Sequence, residues 1–600
     1  MTAEGLTGRL LRVDLSTGKI AVEAIPEDVA RSFLGGRGLG AYYFDREIKP
    51  GIDPLGLQNK LIFSCGPLLG TMVPGGNKVC VTFKSPLTGT YSYSLCGGHW
   101  GPELKTAGYD ALVVEGVSKY PVYLFIDDES VSICPADHIW GQLIPETDSA
   151  LRGEIGDPFV KVACIGPAGE RLNRMACITA DCYREFGRGG AGAVMGAKKL
   201  KALVIRGSRG VIVKEPGKIA SISEKMVKDL KRHVTVQARH SYGTPEMVEE
   251  INYLGFWSTR NFSTGQFNDA GKLSGKAMKK EIVQGDSSCF SCPVACGKRS
   301  AINSASYGRV ELEGPEFETI GLLGANCGVS QWEYIVQAAK ICDSYGMDTM
   351  SSGAVVAMIM EAFEKGRISE EQLDGLRPRF GDGSVMVELL QRIGDRKGIG
   401  DLLAEGLQAS AGQLGISDLA MHVKGLPLAT YDPRGCKGMA LTYGTSPKGA
   451  HHMVSPTMGL ELAGNRFSVE GKGLLVRKTQ QHMALVDSLS LCSSMRFVLN
   501  LEGQLQILEA ATGLVLSEEE ALRIGDRIIN LERMCNVRMG FDRRHDVLPR
   551  RFLEEPLPEG LSGGQVVEMD DLLNDYYSVM GWDERGIPTP EKLKTLDLAT

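Results

Sequence analysis

Three cysteines within a few residues constrain this chain more than anything else in it. Ser288-Cys289-Phe290-Ser291-Cys292-Pro293-Val294-Ala295-Cys296 is a C-x2-C-x3-C run. Thiolates this close can each bind a different iron on one face of a cubane, and a fourth must come from elsewhere in the chain. A structural zinc site pairs its ligands two and two, which a triplet plus a distant single does not match. The radical-SAM pattern reverses the two gaps. A bland alternative is three buried cysteines acting as small apolar residues. The spacing favours an iron–sulfur cluster, so the fold must return a remote cysteine to this loop.

The chain has 15 cysteines, an odd number scattered over 600 residues. A secreted disulfide framework looks different, and in a reducing compartment clustered cysteines bind metal. The length suggests two to four domains. A net charge of −7 argues against nucleic acid, which requires a basic face. No apolar run approaches the roughly 18 residues of a membrane span, and the N-terminal stretch lacks a charged region followed by an apolar one. The expected setting is cytoplasmic.

Up to about residue 208 the sequence is rich in short β-like runs: Leu10–Leu15, Lys60–Phe63, Val79–Phe83, Ala111–Glu115, Val122–Ile126, Val160–Ile165 and Ala202–Ile205. Helical signals are sparse there. Longer amphipathic stretches follow. Ser330 with Glu333 predicts a capping-box start to a helix that ends near Gly346. Helices are also predicted over Gly353–Lys365, Val476–Val486 and Glu518–Arg538, with loops over Gly375–Gly383 and Glu554–Gly564. The fold class is α+β: a β-rich base over 1–209, then helical domains over 210–421 and 422–600. No solenoid repeat is visible.

Two segments share one shape. Asp343-Ser344-Tyr345-Gly346-Met347-Asp348 and Asp487-Ser488-Leu489-Ser490-Leu491-Cys492 each run aspartate, two residues, small, apolar, then Asp or Cys. Each follows a predicted helix. An ionised aspartate only accepts hydrogen bonds, so it suits a ring with several N–H donors, such as a pterin. Cys492 would set a cluster ligand beside that ring.

With these motifs the sequence resembles the tungsten-containing aldehyde:ferredoxin oxidoreductase family along essentially its whole length. The resemblance also runs through Lys84–Gly89, Gly97–Asp110, Gly187–Gly196, Glu313–Glu318, Tyr431–Gly435 and Lys448–His452. It implies an N-terminal two-sheet base with two mainly helical domains enclosing a bis-pterin metal site. Tungsten is expected (molybdenum is the alternative), with a [4Fe–4S] cluster on Cys289, Cys292, Cys296 and Cys492 and a Mg2+ bridging the pterin phosphates. The pterins would be held by Asp343, Met347, Asp348, Asp487 and Leu491. Lys78, Arg188 and Lys448 would supply positive charge, and the turns at Gly97-Gly98 and Arg188-Gly189-Gly190 backbone N–H groups, to the phosphates. Glu318 and His452 take the catalytic positions, a pair suited to proton transfer during attack of water on an aldehyde carbon.

Departures from the family pattern bear on geometry. Ser490 stands where glycine is usual, and serine enters a left-handed turn at a steric cost. Leu95 replaces an asparagine of the magnesium site, which is tolerable if the contact is through the backbone carbonyl. His451 adds a second imidazole beside His452, and which faces the metal is open. Cys327 and Cys342 flank the pterin region; approach of either to the metal is the alternative to reading both as buried packing residues. The implied activity is aldehyde oxidation to carboxylate, or the reverse. Electrons pass to ferredoxin or to an iron–sulfur or flavin subunit, in a homodimer or hetero-oligomer. The alternatives are the tungsten subunit of a benzoyl-CoA-type or related acid reductase, and a non-catalytic iron–sulfur relay.

Overall fold

The chain is described from a computed structural model covering residues 4–598. Its first part holds twelve strands: β1 Arg9–Asp14, β2 Lys19–Ala24, β3 Leu61–Ser64, β4 Val79–Lys84, β5 Tyr91–Cys96, β6 Ala111–Glu115, β7 Val122–Asp127, β8 Ser130–Pro135, β9 Lys161–Cys164, β10 Ile178–Ala180, β11 Arg184–Phe186 and β12 Leu200–Arg206. They form two six-stranded sheets, ordered β2-β1-β6-β3-β4-β5 and β8-β7-β12-β9-β10-β11. The second order is the first with six added to every label. In each sheet one pair is parallel, β1 with β6 and β7 with β12, and the rest are antiparallel. The base is one unit used twice.

The two sheets pack face to face through Leu11, Val13, Phe63, Val81 and Leu112 on one side and Ile126, Ala163, Ile178, Leu203 and Ile205 on the other. Both faces of the first sheet are covered, which is why its central strands read as continuous apolar runs. All of the predicted strands are present. Those the sequence hid are the polar edge strands β2 and β8, the Tyr/Ser-alternating β5, and the short β10 and β11.

The expectation of few helices in the base is corrected. Helices run over Glu27–Phe33, Gly36–Glu47, Trp100–Thr106, Ile144–Ile155 and Ala191–Ala197. Gly36–Glu47 is glycine-rich and buried over most of its surface, so it carries no polar stripe to betray a helical period. It lies on β4 and against the helices Lys472–Ser488 and Glu518–Arg538, joining the base to the helical part.

The helices Trp332–Tyr345, Thr349–Glu364, Lys472–Ser488 and Glu518–Arg538 match the predicted ones. Gly346 closes the first in the left-handed conformation, at φ 73°. Its start differs from expectation: Gln331 is the N-cap, and the Ser330 hydroxyl bonds to Asp269 instead. A small third sheet, β13 Val283–Ser287, β14 Gly297–Ser304 and β15 Gly308–Glu313, carries the cysteine triplet in its first connection. Among the described residues, no helix is long and apolar enough to cross a membrane.

Candidate metal centre and active site

Each half of the base seats one aspartate motif in the same manner. In the second half, Gly346 O accepts from Cys177 N at 2.8 Å, Met347 bridges to Ala176, and Asp348 N donates to Met175 O at 2.9 Å. In the first half, Ser490 O accepts from Lys78 N at 3.0 Å, Leu491 bridges to Gly76, and Cys492 N donates to Gly75 O at 2.8 Å. The loops that receive them begin with Gly166-Pro167 and Gly66-Pro67 at the ends of β9 and β3. Ser490 occupies the left-handed region at φ 64°, and its Oγ accepts from Gly66 N at 2.7 Å. That bond offsets the steric cost the sequence raised.

The cysteine loop is laced to the loop before β4 and to Gly98. Gly75 N donates to Ser291 O, Asn77 Nδ2 to Phe290 O, and Phe290 N to Gly98 O. Cys492 thereby lies beside Cys289, Cys292 and Cys296, close enough to help raise the pKa of Cys292 and Cys296. Burial, then the neighbouring thiols, pushes Cys292 up to about 11; burial, then Glu316 and the thiols, pushes Cys296 up to about 12. Such thiols surrender their protons to a metal rather than to water at neutral pH. Among the described residues no three His, Cys, Asp or Glu side chains converge tightly enough for a single ion. A cubane, with each thiolate on its own iron, needs the wider spacing. Gly97 packs here: a Cβ on it would lie 2.9 Å from Cys289 Sγ and 3.1 Å from Lys78 Nζ. Thus Gly97 and Gly98 lie against the cysteine loop, outside the inner cavity described next.

That cavity, of about 260 Å³, is lined by Lys78, Tyr93, Leu95, Arg188, Lys448, His451, His452, Asp487 and Leu491, among others. Three cations face one carboxylate, so the walls are built for an anion. Lys448 is buried, its Nζ 3.8 Å from the centre of the Tyr93 ring and donating to Tyr93 O. Burial and Arg37 pull its ammonium down to about 7. Asp487 is pushed up to about 6 by burial, against the pull of Arg37 and Lys448. Lys78 stays above its ordinary value despite desolvation, through Cys492 and Cys289. Tyr91 N bonds Asn536 and Tyr93 O bonds Lys448, so the odd residues of β5 turn their polar backbone to the free edge. By strand alternation the Leu95 carbonyl points there too.

The first motif's residues lie behind this cavity. Asp348 caps the helix Thr349–Glu364 and takes Arg188 Nε at 3.3 Å, while Arg188 also donates to Ala450 O and Pro427 O. Gly189 and Gly190 are buried in the turn after Arg188. Asp343 is pushed up to about 7 by burial, and together with burial it drives Glu185 well above the usual carboxyl range. Glu185, Asp343 and Asp348 form a carboxyl-rich cluster, a set of acceptors that fits a ring bearing N–H donors.

An outer cavity of about 570 Å³ meets the inner one at His452, Met453 and Ser493. Its walls include Phe317, Tyr431, Met439, Met458 and Phe497, and Glu318 and His452 stand at its inner end. Glu318 Oε2 accepts from Thr430 N at 2.9 Å, while buried Oε1 has no hydrogen-bond partner and lies 3.6 Å from His452 Nε2. Burial lifts Glu318 to about 7. Burial, Arg188 and Lys448 depress His452 to about 3, leaving it neutral with Nδ1 also unpartnered. His451 stacks on His452 with ring centres 5.4 Å apart, and its Nδ1 accepts from Met453 N. Both imidazoles line the inner cavity, and only His452 also reaches the outer one. Cys327 and Cys342 are buried, and neither lines either cavity.

Sequence reasoning missed Arg37. Fully buried, it stacks on Tyr93 at 4.5 Å and bonds Glu532 at 2.8 Å and Asp487 at 3.3 Å, linking base, cavity and the Glu518–Arg538 helix. Its flanks, Gly35-Gly36-Arg37-Gly38, echo Arg188-Gly189-Gly190 and were the available signal. Arg239 and Arg496 of the outer cavity, which flank Phe497, carried none.

The chain is similar to known proteins over nearly its whole length. Residues 10–207 match the N-terminal domain of aldehyde ferredoxin oxidoreductase, and residues 221–598 match its domains 2 and 3. The tungsten-containing aldehyde ferredoxin oxidoreductase of Pyrococcus furiosus is 41% identical over 99% of both chains. The WOR-like subunit of an aliphatic sulfonate oxidoreductase from the same organism is 30% identical over 98% of this chain and 97% of its own. Among solved structures, the active-site complex BamBC of benzoyl coenzyme A reductase with 1,5-dienoyl-CoA aligns at a TM-score of 0.85. It is 25% identical and covers 100% of this chain and 98% of the other.

Proposed function

The chain belongs to the aldehyde ferredoxin oxidoreductase family, and from that premise we propose that it oxidises aldehydes to carboxylates, passing electrons to ferredoxin. The observation that carries this is the Glu318–His452 pair, with its unpartnered atoms, where an open cavity walled in part by aromatic and methionine side chains meets a cationic inner one beside four cysteines. The residues fit a tungsten bis-pterin: Asp487, Leu491, Asp343, Met347 and Asp348 toward the rings, and Lys78, Arg188 and Lys448 toward the phosphates. The free edge at Leu95 suits Mg2+. Cys289, Cys292, Cys296 and Cys492 suit a [4Fe–4S] cluster. We place the division between the helical domains near residue 421, so that each carries one aspartate motif.

The balance is RCHO + H2O → RCOO⁻ + 3 H⁺ + 2 e⁻. When bound, the metal supplies the two-electron oxidant and the cluster the one-electron exit. The chain's own residues handle position and protons. Phe317, Tyr431 and the methionines hold the apolar part of the substrate and exclude water. Neutral His452 hydrogen-bonds the carbonyl side. Glu318, half-ionised near neutrality, takes the proton of the attacking water at Oε1.

A benzoyl-CoA-type reductase remains the second reading, on the strength of the structural match. The higher identity to aldehyde oxidoreductases favours the first. A passive relay would have no use for an unpartnered carboxyl at about 7 facing a cavity.

The deciding experiment is aldehyde-dependent viologen reduction by protein produced with tungstate, with elemental analysis alongside. About one tungsten per chain is expected for a single site. Because the carboxylate is the active form, kcat/KM rises with pH through about 7. Glu318→Gln loses that limb and roughly 10²–10⁴-fold in rate. Absence of both tungsten and molybdenum overturns the enzymatic readings. Turnover of an aromatic thioester but of no aldehyde selects the second.

A further inference from the structure

We propose that the basic segment Lys228–His240, together with the outer side of the cysteine loop, is the docking face for a small acidic iron–sulfur carrier. The proposal rests on the functional reading above and adds where the partner sits. In a chain of net charge −7, the stretch Lys228-Asp-Leu-Lys231-Arg232-His233-Val-Thr-Val-Gln-Ala-Arg239-His240 holds four Lys/Arg against one Asp. Lys228, Lys231, Arg232 and His240 are exposed, and Val234 is 76% exposed among them.

Two contacts tie this segment to both loops that carry the cysteines. His240 Nδ1 bonds Val294 O at 2.9 Å, between Cys292 and Cys296, and Lys298 Nζ fastens His240 O to Ala295 O. At its other end His233 stacks on Phe497 at 5.2 Å, just after Cys492. The four cysteines are themselves half-buried, and beyond their loop Met72 stands 56% exposed, its carbonyl bonded by Ser291 Oγ. Three nearby carboxylates are matched, Glu224 by Lys228, Glu246 by Arg239 and Asp286 by Lys298, which among the described residues leaves Asp229 as the segment's one unpaired acid. Among the described residues Lys231 and Arg232 have no such partner within the chain. Cationic side chains around an exposed apolar residue, tied to both loops that carry the half-buried cysteines, suit an anionic carrier that must approach closely and then leave. Each aldehyde yields two electrons, so two one-electron carriers dock in turn.

The test uses the holoenzyme and a purified small acidic ferredoxin. Binding is measured by calorimetry at low and at physiological ionic strength for the wild type and for K231E/R232E. The double reversal is expected to raise Kd at low salt at least about tenfold and to flatten its salt dependence. Aldehyde-dependent viologen turnover and iron content are expected to stay unchanged. The neutral K231Q/R232Q variant should fall between, and K119E, on the β6–β7 connection, should match the wild type. Unchanged affinity and salt slope in K231E/R232E, or an equal effect of K119E, overturns the docking face. Wild-type protein that binds the ferredoxin but turns over no aldehyde leaves the face standing and refutes the reaction assigned above.

Discussion

The two halves of the base receive two aspartate motifs by the same backbone bonds, yet the motifs end differently. Asp348 closes the first by capping a helix and taking Arg188, while Cys492 closes the second beside the cysteine triplet. At the fourth position Gly346 has no side chain, whereas Ser490 spends its hydroxyl on Gly66 N. The leading aspartates differ too: Asp487 is held by buried Arg37, whereas Asp343 makes no ion pair among the described residues and feels Lys340 on one side and Glu313 on the other. On the function proposed here, one scaffold used twice is divided into a side that only holds and a side that also conducts. The backbone contact that seats each motif is indifferent to the side chain in its last position.

This division can be broken most directly at the last position. Cys492→Ala is expected to abolish or alter the cluster EPR signal and to cut aldehyde-linked dye reduction, whereas Asp348→Ala keeps the signal. An unchanged spectrum in Cys492→Ala would remove the conducting role from the second motif.

Next in size is the loss of Arg37. Arg37→Leu leaves Glu532 and Asp487 buried without their partner and is expected to cost about 3–5 kcal/mol. Arg188→Leu is milder, about 1–3 kcal/mol, because Asp348 keeps its bonds to Met350 N and Ser351 Oγ. Denaturant midpoints measure both. Equal losses would mean that the halves are held alike.

The smallest effects sharpen the comparison at its fourth position. Gly346→Ala adds a Cβ at φ 73°, 3.2 Å from Gly166 N, for about 1–2 kcal/mol. Gly346→Ser is expected to cost less, since its hydroxyl can meet Gly166 N as Ser490 meets Gly66 N. Ser490→Gly should fall within about 1 kcal/mol of the wild type, with the relieved strain and the lost hydrogen bond nearly cancelling. Thermal unfolding would rank the three, and Gly346→Ser costing more than Gly346→Ala would deny that the seats are equivalent.

The central strands of the base were legible because burial on both faces leaves apolar runs bounded by turn residues. Strand β5 was not, since its Tyr/Ser alternation serves a site on one side and a core on the other. The duplication was invisible for a related reason: the two units share strand order and hydrogen-bond pattern, which backbone geometry preserves while side chains diverge. The family resemblance pointed to Glu318 and His452, but not that burial would bring one to about 7 and the other to about 3.

From the sequence, local spacing singled out the cysteine triplet and the two aspartate motifs, because the ligand type and the turn that presents it lie within a few residues. The Glu/His pair and the cations proposed for phosphate came from the family resemblance. Tertiary structure alone decided how these meet, including that Cys492 joins the triplet across the loop before β4, that Arg37 links Asp487 to Glu532, and that His452 rather than His451 spans both cavities. Those relations join residues hundreds of positions apart. They are set by packing and desolvation, which depend on what surrounds a group in space and leave no periodic trace along the chain.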